Sequence, residues 1–398
     1  MAHPRPANTA ERAASLVVLL LAVLSLFAIG VGGVMKSAPP GDDFQVFYRA
    51  GRLFWSGLDP WLAMMGSPQP FSYPPHTLSF LLLYNVLSPS TAFVIHSAVN
   101  LGSIVAICYC ANRWFLGITS WRTLAFAQAA ALALIIGNPY TATSVYQGQT
   151  TLPVTAALMM SWLCLSQGHR VAAGLLLTVA TIKPQLSLLY VLWLILSAEL
   201  AVVVIGGLAA LVLIVPAFLV LGPWDTFHSW WLSLGSYGQV PINMPGSPYV
   251  VGLESFLVAH GVDPGAWPIA ALGLLLTLAA FRLRQRLDAF MTLQFLLVLT
   301  CTCLFVHDYD YVVIIPVWSC ALYLALSQMA WGRLSTFSVL GLLFFMPQRL
   351  IRDIDLPVIV HARTLILIAM FVLLVSWRGE QPRSGQAGWL DGQVKKPV

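Results

Sequence analysis

The sequence predicts an all-α, polytopic membrane protein of about twelve transmembrane helices plus one re-entrant or interfacial helix. Three observations predict it. Of 398 residues, 59% are hydrophobic and 9% charged, whereas a soluble domain carries roughly 25% charged residues. Apolar runs of bilayer-spanning length, about 17–25 residues, recur along nearly the whole chain. The basic residues fall in short loops between those runs, where they act as orientation signals.

The first run, 14–35, follows Arg5 and Arg12. It is too long for a signal-peptide h-region and lacks a small-residue cleavage site. It reads as an uncleaved helix with residues 1–13 in the cytosol. The further expected crossings are 91–111, 122–137, 151–167, 169–183, 185–198, 200–221, 266–281, 289–306, 310–328, 334–347 and 363–377. Parity decides the remaining run, 71–88. Left out of the tally, it places Arg113, Arg170, Arg282, Arg333 and Arg378 in the cytosol. Counted as a crossing, it moves all of them outside, against the positive-inside rule. It therefore reads as the re-entrant or interfacial helix. Two or three crossings fit the stretch 171–221. Three keep Arg282, Arg284 and Arg286 inside and put the Lys183-Pro184 break at the outer face. Residues 14–377 then form one transmembrane domain in the plasma membrane, and 378–398 a disordered cytosolic tail. Both termini are cytosolic.

Several function classes drop out. The net charge of +5 is scattered, so nucleic acid is not an expected partner. Cys108, Cys110, Cys164, Cys301, Cys303 and Cys320 lie in apolar runs and read as buried free thiols. No His-Glu-x-x-His, P-loop or Gly-x-Ser-x-Gly pattern is present.

The outer side gathers the conspicuous charges. Asp42 and Asp43 open the first outer loop, followed by an amphipathic segment, 44–56, that carries Arg49 and Arg52. A carboxylate at the membrane surface serves as a general base or a metal ligand; equally, Asp is a favoured helix N-cap. Lys183 either snorkels to the interface or binds an anionic headgroup or phosphate, since a lysine there is costly to bury. His307 to Asp310 is a polar turn or part of a site. The cluster Arg349, Arg352, Asp353, Asp355, His361 and Arg363 runs against the positive-inside trend, which an anionic ligand on that face would explain. The uncharged turn 138–150 holds Gln149, which caps the next helix or hydrogen-bonds a sugar. The loop 222–265 carries Trp230, Trp231 and Tyr237, aromatics suited to an interface.

These residues carry a resemblance. Asp43-Phe44-x-Val46-x-Tyr48-x-Ala50, Gly57-x-Asp59-Pro60, Tyr73-Pro74-Pro75, Gly148-Gln149, Lys183-Pro184 and His307-x-Tyr309-Asp310, in that order, resemble glycosyltransferase family 87. The resemblance runs from about residue 15 to about residue 375. It implies a GT-C-type membrane enzyme, similar to mycobacterial polyprenyl-phosphate-mannose-dependent mannosyltransferases. It implies an extracytoplasmic site and inverting transfer to a glycolipid or polysaccharide hydroxyl. No cofactor or metal is required. The family's catalytic acid falls on Asp43. The expected substrate-binding residues are Asp42, Tyr48, Gln149, Lys183, His307, Asp310, Arg349 and Arg352. A transporter or flippase for a lipid-linked or polar solute is the alternative, although transporters usually place ionisable residues near the midplane on broken helices.

Overall fold

Apolar sequence and helix coincide along the chain. The computed structural model describes residues 9–36, 41–118, 125–283, 289–351, 354 and 356–379. The elements are α1 (Thr9–Lys36), α2 (Asp42–Trp55), α3 (Pro60–Met64), α4 (Thr77–Asn85), α5 (Pro89–Ile118), α6 (Ala125–Gly137), α7 (Pro139–Gln147), α8 (Thr151–Ser166), α9 (Arg170–Ala180), α10 (Pro184–Leu196), α11 (Leu200–Leu221), α12 (Pro223–Tyr237), β1 (Val250–Val251), α13 (Leu253–Ala259), α14 (Ala266–Arg282), α15 (Ala289–Cys303), β2 (Val306–His307), a 3-10 segment (Asp308–Ile314), α16 (Ile315–Ser327), α17 (Trp331–Phe344), α18 (Gln348–Ile351), α19 (Pro357–Val360) and α20 (Ala362–Gly379). Among the described residues the architecture is all-α apart from one two-residue antiparallel pairing, Val250 with His307 and Val251 with Val306.

Each segment expected to cross contains a helix among the described residues. Among the described residues, four helices are long and apolar enough to cross a bilayer by themselves: Thr9–Lys36, Pro89–Phe115, Leu200–Leu221 and Asp308–Ser327. Their lengths and apolar composition mark a multi-pass membrane protein. The other apolar helices are shorter. The expected tail lies, past Gly379, outside the described residues.

The stretch after α8 shows why some apolar helices are short. Pro184 has no N–H to continue a helix and crowds the residue before it. Lys183 accordingly leaves helical geometry, at φ −115° and ψ 85°. α9 has 11 residues and α10 has 13, rises of about 17 and 20 Å against a hydrocarbon core of about 30 Å. Arg170 Nε donates to Glu199 Oε2 at 2.8 Å, so the start of α9 and the end of α10 share one level. The chain therefore reverses twice between Arg170 and Leu221.

Lys183 is buried in the protein. Thr178 Oγ1 donates to Gly206 O at 3.0 Å, which aligns α9 beside α11. From Gly206, α11 continues to Leu221, about 22 Å further along its axis. Lys183 lies only five residues past Thr178 and is buried. It sits recessed below the end of α11, not snorkelled to a surface.

Two expected loops are helical. The turn 138–150 contains α7: Asn138 Oδ1 accepts from Thr141 N at 3.0 Å, Pro139 fills the first turn, and Gly148 at φ +67° ends the helix. The loop 222–265 contains α12 and α13. In α12 the faces are inverted relative to a soluble helix. Thr226, Ser229 and Ser233 are buried, whereas Trp224 is 77% exposed and Trp231 68%. Ser233 Oγ donates to Phe71 O at 2.7 Å and Trp230 Nε1 to Ser72 O at 3.0 Å, fixing the small-residue face against the segment before α4.

The run 71–88 is helical only over α4, nine residues or about 14 Å. That is about half of the bilayer's hydrocarbon core. With α2 and α3 it forms a second apolar core beside the main bundle, built on Phe44, Phe47, Phe54, Trp61, Phe71 and Leu78. The amphipathic expectation for 44–56 matches α2, which buries Phe44, Phe47, Ala50 and Phe54 and exposes Arg49 and Arg52. Asp59 caps α3, accepting from Trp61 N at 2.9 Å and Leu62 N at 3.1 Å. The six cysteines are free thiols.

Candidate active site

Three breaks in the helices converge on one point. The α7–α8 turn brings Gln149 and Thr151, the α9–α10 break brings Lys183, and the 3-10 segment brings Asp310. Lys183 Nζ donates to Asp310 Oδ1 at 2.6 Å, to Thr151 Oγ1 at 2.7 Å and to Gln149 Oε1 at 3.2 Å. The Thr151 hydroxyl in turn donates to Asp310 Oδ1 at 2.7 Å, and His307 N donates to Asp310 Oδ2 at 3.2 Å. An ammonium has three N–H donors and no acceptor. All three are engaged by protein atoms. The carboxylate and the ammonium are both buried, a placement stable only when paired and fully hydrogen-bonded.

Asp43 adjoins this network: the Gln149 side chain holds its carboxyl down against the rise that burial causes, and Phe44, the next residue of α2, packs on Gly148. Local packing fixes the approach. Gly41 turns the chain at φ +75°, and Phe44 inserts between Phe93, 5.5 Å away ring to ring, and His96, at 5.2 Å. A side-chain carbon at Gly148 would lie 2.6 Å from Phe44 Cβ, so only glycine lets α2 settle on the α7 turn. Burial pushes the Asp43 carboxyl up to about 6, with Asp42 and Asp310 adding to the rise; the Gln149 hydrogen bond and the Lys183 charge oppose it. The residue keeps part of its surface open. The arrangement supplies a carboxylate that titrates near neutrality, as a general base requires.

An aromatic wall completes the surroundings. The Lys183 ammonium lies 4.8 Å from the centre of the Tyr309 ring, a cation–π distance. Tyr309 stacks on His307 at 5.1 Å, and His307 Nε2 pairs with the Tyr237 hydroxyl at 2.8 Å. The β1–β2 pairing and a bond from Asp308 N to Tyr249 O at 3.0 Å hold this turn. Burial, assisted by Lys183, pushes His307 down to about 4 despite Asp310, so it is neutral at pH 7. Tyr73 and Tyr237 both feel the charges of Asp43 and Asp310. Sequence reasoning assigned neither to the site, although Tyr73 heads a quoted motif.

The expected residues divide. Asp43, Gln149, Lys183, His307 and Asp310 come together. Asp42 is exposed on the first turn of α2. Tyr48 is committed elsewhere, its hydroxyl donating to Leu87 O at 2.8 Å. Arg352 and the Arg349 side chain lie outside the described residues. A basic residue not assigned to the site, Arg363, is buried; its guanidinium lies 5.7 Å from the Tyr140 ring centre and its charge acts on Asp308.

A family model described as glycosyltransferase family 87 matches residues 71–306, more than half of the chain. The chain belongs to glycosyltransferase family 87. Comparison with curated proteins finds none that matches. The family 87 match contains Tyr73, Gln149, Lys183 and Tyr237 and stops one residue short of His307. Asp43 precedes it, so the matched stretch is narrower than the resemblance over 15–375. Family 87 membership makes the protein a glycosyltransferase, acting on a sugar donor and an acceptor.

Proposed function

We propose that this family 87 enzyme transfers a sugar, with mannose the sugar the resemblance favours, from a polyprenyl-phosphate donor to a glycolipid or polysaccharide hydroxyl. On this reading it has about twelve passes in a GT-C-like arrangement, and the site opens on the extracytoplasmic side. The acceptor oxygen attacks the anomeric carbon as the bond to phosphate oxygen breaks, with inversion. The phosphate leaves with the bonding electron pair, and Asp43 takes the acceptor proton. The leaving phosphate is already charged at neutral pH, so no separate general acid is needed.

One observation carries the proposal: a carboxyl raised to about 6 beside a buried ammonium–carboxylate pair, on the rim of a recessed polar centre. A base is most effective when its pKa lies near the working pH. Lys183 supports this reading differently from the sequence expectation. Its donors are engaged, so its charge acts through the network and not by gripping phosphate. The hydroxyls of Tyr73 and Tyr309 are the neutral donors proposed to face the leaving group, the Tyr237 hydroxyl being paired with His307.

A lysine at a helix break, recessed within the bundle, is also what a transporter builds. Family membership favours transfer over transport. The test is incubation of purified protein in liposomes with labelled polyprenyl-phosphate sugar and membrane lipid extract, with the anomeric configuration of the product read by NMR. An inverted glycoside is expected. Retention of configuration, or solute flux without transfer, would overturn the proposal.

A further inference from the structure

We propose that Gln149 is a positioning residue: Lys183 locks its amide in one orientation, so that its N–H₂ end is the group presented to Asp43. The proposal rests on Asp43 being the base. An amide has an acceptor end and a donor end, and a lysine ammonium only donates. The Gln149 atom 3.2 Å from Lys183 Nζ must therefore be the oxygen. The nitrogen is left for the Asp43 carboxyl, whose charged form Gln149 favours and whose neighbour Phe44 packs against Gly148, next to Gln149. Gln149 is 1% exposed, so water does not offer the amide an alternative partner.

The rest of the network removes the other orientation. The Thr151 hydroxyl gives its hydrogen to Asp310 Oδ1 and accepts from Lys183. Asp310 Oδ2 accepts from His307 N. Each direction is then fixed, and turning the amide over would set an N–H₂ against an ammonium and a carbonyl against a carboxylate. The turn that carries Gln149 is itself pinned, with Gln149 N donating to Ser144 O at 2.9 Å. The groups that act on the Asp43 carboxyl are Gln149 from the α7–α8 turn, Lys183 from the α9–α10 break, Asp42 from its own helix and Asp310 from the 3-10 segment. The Tyr73, Tyr237 and Tyr309 hydroxyls share its surroundings. Gln149 is the uncharged group among these that steers the carboxylate as well as stabilising its charged form.

The experiment is the pH dependence of transfer in liposomes for wild type, Gln149→Leu, Gln149→Glu and Lys183→Met. Removing the N–H₂ should move the acid limb of kcat/KM upward by about one pH unit. It should lower kcat by about 10-fold or more, with KM within about 2-fold. Gln149→Glu should move the limb further, because it sets a carboxylate beside Asp43. Lys183→Met, which frees the amide to turn, should move it in the same direction, and combining it with Gln149→Leu should cost less than the two effects summed. Should Lys183→Met fail to fold, the two Gln149 variants decide alone. An acid limb unchanged in both, with the loss appearing in KM, would make Gln149 a substrate contact and overturn the inference. Asp43→Asn separates the two ideas: if that variant is active, the base assignment fails; if it is inactive and the limb does not move, only the positioning role fails.

Discussion

Lys183 Nζ lies 2.6 Å from Asp310 Oδ1, although 127 residues separate them in sequence and neither is open to solvent. Burying two charges is offset only by their mutual attraction and by full hydrogen bonding. Changing one partner leaves the other uncompensated. Lys183→Met and Asp310→Asn should each lower stability by about 3–5 kcal/mol, and a paired Lys183→Met/Asp310→Leu variant should recover much of the loss. Thermal unfolding in detergent measures this. The Arg170–Glu199 pair is the internal contrast: it is partly exposed, and Glu199→Gln should change stability by about 1 kcal/mol or less.

Asp43 sets function against stability. Its carboxyl titrates near 6 in the fold against an ordinary 3.8. Between those values the folded chain holds a proton that the unfolded chain releases. Stability from this group is therefore present at low pH and falls as pH rises through that window. Asp43→Asn should stabilise the protein at pH 7, by up to about 3 kcal/mol, and flatten the pH dependence of Tm between pH 4 and 7. A Tm unchanged by the substitution across that range would show that the carboxyl is not raised.

Gly148 couples α2 to the site. At φ +67°, and with the Phe44 side chain where a Cβ would stand, Gly148→Ala combines backbone strain of about 1–2 kcal/mol with displacement of α2. Both Phe44 and Gln149 move, so activity should fall at least as sharply as Tm. Gly207→Ala is the control: nothing lies within 4 Å of its position, and in a helix interior it should stabilise by up to about 1 kcal/mol.

The exposed face of α12 continues the apolar exterior of α11. Leu219 is 81% exposed, and Phe218 meets Phe227 edge-on at 5.7 Å. Trp224 and Trp231 should then lie among lipid chains at the interface. Replacing both with Phe should remove a measurable share of the tryptophan fluorescence quenched by bromine-labelled lipids. Unaltered quenching would place α12 in water.

Much of this was legible in the sequence, for identifiable reasons. The apolar runs produced helices where hydropathy placed them, and Pro184 announced the break at Lys183. The polar or aromatic helices α7 and α12 were not legible as helices. Pro139, Gly148, Pro223 and Gly222 mark their ends, but Thr, Ser, Tyr and Trp between them read as loop. Hydropathy does not separate α9 from α11, which differ twofold in length, 11 residues against 22. The different surroundings of Asp42 and Asp43 were not legible: α2 turns Asp42 to solvent and Asp43 toward Gln149. The engagement of Lys183 by Gln149, Thr151 and Asp310 depends on contacts that no local pattern encodes.

The central claim is that Asp43 removes the acceptor proton. Initial rates of sugar transfer in liposomes, measured side by side for wild type, Asp42→Asn and Asp43→Asn with folding and insertion verified in each, test it most directly. Transfer should fall by at least about 1,000-fold in Asp43→Asn and stay within about 3-fold of wild type in Asp42→Asn. Near-normal transfer by Asp43→Asn, or loss confined to Asp42→Asn, would contradict it.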